Sequence, residues 1–152
     1  MKVIHIGEET SILSKINPLN AYKETKIRTA NQGQLIIMIY DEAIRQIDLA
    51  TEALADGTKR LDQVHNAIVR AQDFITELTV SLDFDRGGEI AKGLFSIYMF
   101  FRRHLMEANL KKDPQMLKNV RSMLAELRDA WVQINKPGVE VAAAPSGLNI
   151  AG

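Results

Sequence analysis

Leu61-Asp-Gln-Val-His-Asn-Ala-Ile-Val-Arg-Ala-Gln-Asp-Phe-Ile-Thr-Glu-Leu-Thr-Val-Ser-Leu82 is the stretch whose reading decides the fold. Leu61, Val64, Ile68, Ala71, Ile75, Leu78 and Leu82 recur three and four residues apart without a miss. At about 100° per residue they fall on one helical face. Such a face forms the seam of a bundle or coiled coil, so the sequence around it should supply partner helices.

It supplies three. Upstream, Asn31 offers an N-cap with Gln34 three residues on, the spacing of a capping box. The set Ile36, Tyr40, Ala43, Ile47, Ala50 and Leu54 then lines one face, and Gly57 is a natural stop. Downstream, Asp83-Phe-Asp-Arg-Gly-Gly88 reads as a turn, because paired glycines are poor helix interior. A third helix carries Ile90, Leu94, Ile97, Phe101, Leu105 and Ala108. Asp113-Pro114 supplies a cap with proline at the first helical position, and a fourth helix follows through Leu117, Val120, Leu124, Leu127, Trp131 and Ile134.

Helices of roughly 20 to 25 residues span about 30 to 37 Å each. Matched lengths and short turns favour antiparallel neighbours. The expected fold is all-α, an antiparallel up-down four-helix bundle over residues 31–135. Residues 1–30 read as a weakly periodic N-terminal arm containing Pro18, and 136–152 as a flexible Pro/Ala/Gly tail.

Composition narrows the chemistry. The 152 residues make one domain, and Lys plus Arg balance Asp plus Glu at 19 each. A neutral chain offers no whole-molecule attraction for nucleic acid or an anionic membrane. There is no cysteine, hence no disulfide, thiolate metal site or cysteine nucleophile. No signal peptide and no stretch of 18 apolar residues is present, so a cytoplasmic protein without membrane insertion is expected.

Specific sites are equally sparse. Di-metal bundle cores need Glu-x-x-His pairs, and His5, His65 and His104 lie on separate segments without one, so no metal or other cofactor is expected. His65 as a phosphotransfer histidine is a remote alternative. Arg86-Gly-Gly and Asn31-Gln-Gly lack the lysine and the strand context of a phosphate loop. Arg102, Arg103, His104, Lys111 and Lys112 suit the negative pole of the third helix. No nucleophile-base set stands out, and no catalytic residue is assigned.

What remains is apolar surface. The seams leave Phe95, Met99 and Met106 unused on the third helix, and Leu35, Met38 and Leu49 on the first, with Ile39 at the boundary. Methionine and aromatic side chains on an open face suit a groove that accepts a partner helix. Widened helix contacts or a homodimer seam would use the same residues.

The order of several phrases adds a family. Asn20-Ala-Tyr22, Thr29-Ala30, Leu35 through Ala43 with its Met-Ile-Tyr-Asp centre and Arg86-Gly-Gly-Glu-Ile-Ala91 follow one another. Leu94, Tyr98, Leu105-Met-Glu-Ala-Asn109, Lys112-Asp113 and Leu127-Arg-Asp-Ala-Trp131 continue the series. Across about residues 19 to 134 the chain resembles the flagellar export chaperones of the FliS family. The resemblance implies a non-enzymatic bundle that binds the disordered C-terminal segment of flagellin and prevents its premature polymerisation. It also implies delivery of that client to the cytoplasmic domain of the type III export gate. The off-core residues would meet flagellin, and Leu19 and Tyr22 would cap the empty groove or contact the gate. The arm before Leu19 is longer than the family pattern, and the tail has no assigned role. A generic helical interaction module, homodimeric and unrelated to secretion, is the alternative.

Overall fold

A computed structural model describes residues 31–136; the arm with Leu19 and Tyr22, and the tail beyond residue 136, lie outside the described residues. Four helices follow in order: α1 Gln32–Leu54, α2 Leu61–Val80, α3 Phe84–Lys111 and α4 Pro114–Ile134. No strand occurs among the described residues.

The helix ends follow local chemistry. The Asn31 side chain accepts the Gln34 N–H at 2.8 Å, and the Gln34 side chain accepts the Asn31 N–H at 2.9 Å. Two donors that an α-helix leaves unsatisfied are thus paired reciprocally. The Asp113 side chain caps α4 one-sidedly, accepting the Gln115 N–H at 2.9 Å, with Pro114 at the position where a missing N–H costs nothing.

The expected turn at 83–88 is corrected in part. Asp83 accepts the N–H groups of Asp85 and Arg86, which starts a helical turn at Phe84 immediately. The break comes only at Gly88, with φ 51 and ψ −127. A side chain there would be disfavoured by backbone sterics, and glycine has none.

Each helix packs against its sequence neighbours, and α1 meets α4 to close the ring. Direction is fixed by cross-seam pairs. Asp41 pairs with Arg128 and Asp48 with Arg121, so α1 and α4 run antiparallel. Gln72 donates to the Arg102 carbonyl, and Asn109 bonds His65, so α2 and α3 do too. Where α1 begins, a Cβ on Gly33 would collide with the Asn135 side chain just past α4.

The core draws Ile47, Ile68, Ile75, Leu78, Leu105, Leu117 and Leu124 from all four helices. Across its diagonal the Tyr40 and Tyr98 hydroxyls share a 2.6 Å hydrogen bond. That bond explains a correction in α3. Its buried stripe runs Ala91, Leu94, Tyr98, Phe101, Leu105 and Ala108, while Ile90 is exposed and Ile97 sits half-buried at the edge. A buried phenol is tolerable because its hydroxyl has a partner. Burial pushes the Tyr40 phenol up to about 12 and the Tyr98 phenol well above its usual range.

Candidate protein-binding face

The structure separates the residues singled out on α1 from those on α3. Leu35 is buried, a correction to its off-core placement, and Ile39, read at the boundary of the faces, is buried too. The cause is the breadth of the buried arc of α1. On the flank holding Leu35 and Ile39, Gln46 and Ala53 are buried as well. The most extensive helix contact is that of α1 with α2, and Ala50 and Ala53 on α1 and Ala67 and Ala71 on α2 are buried in the core. Met38 remains half-buried, and Leu49 is open at 39% exposure. Because α1 and α3 stand diagonally across the bundle, Met38 and Leu49 do not share a groove with the α3 residues.

On α3 the set comes together. Phe95 is 40% exposed, Met106 56% and Leu110 81%, with Met99 half-buried between them. Steps of four, seven and four residues put these side chains on one line along the helix. The pairs His65–Asn109 and Gln72–Arg102 show that this line flanks the α2 side of α3. On the neighbouring flank of α2, Val69 and Val80 are exposed. Phe84, also exposed, sets its ring edge-on to Phe95 with centroids 6.0 Å apart. The result is an apolar face along the outer α2–α3 seam, of the kind that marks a protein contact.

Four members of this face, Val69, Val80, Phe84 and Leu110, escaped the sequence reading. Phe84 was hidden by the assignment of its segment to a turn. Val69 is one residue from Ile68 of the seam, and only the position of α3 shows which flank of α2 is open.

The basic cluster splits. Lys111 pairs with Glu107 at 2.7 Å, which holds the Glu107 carboxyl below its usual range and pushes the Lys111 ammonium up. Lys112 takes the left-handed C-cap position, with φ 49, and donates to Asn109. These two fit the pole of the helix. Arg102 and Arg103 do not, since they lie more than two turns upstream and the dipole effect fades within the last turn. His104 stacks on Phe100 at 4.9 Å, and the exposed His65 imidazole bonds Asn109. Among the described residues no group of three His, Asp or Glu side chains is placed to hold a metal ion. No described helix is long and apolar enough to cross a membrane.

Comparison with known proteins adds what geometry does not. The sequence profile of the family described as flagellar protein FliS matches residues 15–138. The chain is 32% identical over 117 residues to the flagellar secretion chaperone FliS of Bacillus subtilis, covering 77% of this chain and 85% of that one. It is 30% identical over 134 residues to the protein of the same name from Vibrio cholerae, covering 86% and 97%. To that of Salmonella typhimurium it is 33% identical over 113 residues, covering 74% and 82%.

Proposed function

The chain belongs to the FliS family, and from that premise we propose that this flagellar export chaperone holds the disordered C-terminal segment of flagellin. In this reading it acts in the cytoplasm without catalysing a reaction. It masks the segment against premature polymerisation and hands it to the cytoplasmic domain of the flagellar type III export gate. The apolar face of Val69, Val80, Phe84, Phe95, Met99, Met106 and Leu110 is the observation that supports the reading most directly.

The physics of such a task is coupled folding. Ordering a disordered segment takes back roughly 2 to 5 kcal/mol of the gross binding energy. At ~25 cal/mol per Å² that is offset by about 80 to 200 Å² of apolar burial, the order of one aromatic side chain. The exposed rings of Phe84 and Phe95 suit that requirement, and Met99 and Met106 adapt to an irregular partner. Met38 and Leu49, on the opposite side, would meet a client that wraps around the bundle. Leu19 and Tyr22 are proposed to contact the gate or to cap the empty face.

The test is titration calorimetry and gel filtration with a flagellin C-terminal fragment. A stable 1:1 complex is expected. A self-sealed dimer that ignores the fragment would instead support a homodimeric interaction module and end this proposal.

A further inference from the structure

The arginines left over from the basic cluster sit at the middle of the apolar face. Met99 and Met106 are about 10 Å apart along α3 at 1.5 Å per residue, and Arg102 and Arg103 fall between them. Around the helix the two arginines lie roughly 50° to either side of the line joining the methionines. Both are exposed, and neither has a carboxylate partner among the described residues.

Arg70 and Arg86 likewise have no carboxylate partner among the described residues, whereas other cations of the bundle are paired. Arg45, Arg60, Arg121 and Arg128 are ion-paired, and on α3 itself Lys92 and Lys111 pair with Glu89 and Glu107. The carboxylate four residues beyond Arg103 is Glu107, which Lys111 already takes. The glutamate-first order of that pair is the stronger one on a helix. Two guanidinium groups therefore straddle a greasy line with their donors free, in a position where a bound helix would bring its own flank against them.

We propose that Arg102 and Arg103 form a clamp for carboxylates, so that the occupant of this face is an amphipathic helix with Asp or Glu beside its apolar stripe. The inference rests on the client reading above and adds the chemistry by which the client is recognised. Arginine suits the task because its planar fork meets a carboxylate with two parallel hydrogen bonds. Apolar contact holds the helix, and the paired charges fix its orientation and its position along α3.

The experiment uses the full chain and a synthetic flagellin C-terminal segment in two forms, native and with every Asp and Glu replaced by Asn and Gln. The variant is Arg102→Ala with Arg103→Ala; both sites are exposed, and circular dichroism checks that the bundle is intact. At low salt the variant should bind the native segment about tenfold more weakly than the unmodified chain, and the gap should close at high salt. The amide form should bind the unmodified chain as weakly as the variant binds the native form, and should not respond to the substitution. Equal affinity of variant and unmodified chain for the native segment, or tight binding of the amide form, overturns the clamp and leaves the client reading standing. If the unmodified chain binds neither form, the client reading falls and the clamp falls with it. A dimer in sedimentation that the variant dissociates would assign the face to self-association and overturn the clamp as well.

Discussion

The α1–α4 seam and the α2–α3 seam are each pinned twice, with pins seven residues apart, but one seam uses charge and the other does not. Asp41–Arg128 and Asp48–Arg121 are two-point contacts, and each aspartate pushes its arginine further up from the usual range. The Gln72–Arg102 and His65–Asn109 contacts involve no carboxylate. The seam joining the first and last helices thus spends its arginines on internal pairs. The other seam leaves Arg102 and Arg103 free beside exposed Phe95 and Met106. One edge of the bundle is closed by ion pairs, and the other carries exposed apolar side chains.

Breaking the open edge should have the largest effect. Phe95→Asp with Met106→Asp should weaken capture of the flagellin segment by about a hundredfold or more, as expected for central apolar anchors. The same measurement on Arg121→Ala with Arg128→Ala should change by less than about twofold. If both variants bind equally well, the distinction between the edges is wrong.

A contact common to both halves comes next. Tyr98→Phe leaves the buried Tyr40 hydroxyl without its partner and should cost about 1 to 3 kcal/mol of stability in denaturant titrations. The same pair sets an alkaline limit. An unfolded phenol ionises near 10, while the folded Tyr40 holds its proton to about 12, so the unfolded state loses protons first. This stabilising contribution is complete below pH 10 and is lost as pH rises toward 12. Stability should fall there by on the order of 1 kcal/mol per pH unit. In Tyr40→Phe with Tyr98→Phe that component of the slope should vanish; an unchanged slope would discard the assignment.

The closed edge should respond more weakly. Arg121→Ala with Arg128→Ala should cost about 1 kcal/mol at low salt and less at high salt, because all four side chains are partly exposed. Asn109→Ala, removing one carboxylate-free pin, should cost only about 0.5 kcal/mol, read from the same titrations. A reversal of that order would mean that the carboxylate-free pins, not the ion pairs, set the helix alignment.

Much of the bundle was legible because its signals are local and redundant. The α2 stripe, the Asn31–Gln34 box and the Asp113–Pro114 start are each contained within a few turns of chain. Errors arose where a distant partner decided the outcome. Ala91, Leu94, Tyr98, Phe101, Leu105 and Ala108 step three and four apart, so the spacing of α3 offered Tyr98; what no local signal reveals is the Tyr40 hydroxyl that makes a buried phenol tolerable. Leu35 and Ile39 are buried because the covered arc of α1 is wider than one stripe and takes in Gln46 and Ala53 as well. The candidate face was half legible for the same reason. Periodicity found Phe95, Met99 and Met106, but the line was completed by Val69 and Val80 from another helix and by Phe84 from across a break.

That break has a consequence that chirality can expose. Gly88 has the dihedrals of the first central residue of a type II′ turn, and a Cβ added there meets nothing within 4 Å. Any objection to a side chain at this point therefore comes from the mirror-image backbone and not from crowding. In a chemically synthesised chain, D-alanine at 88 should be accepted and should stiffen the unfolded state, whereas L-alanine should strain the turn that places Phe84 against Phe95. The two isomers have identical composition and volume, so any difference between them in client capture would report the orientation of that one aromatic ring.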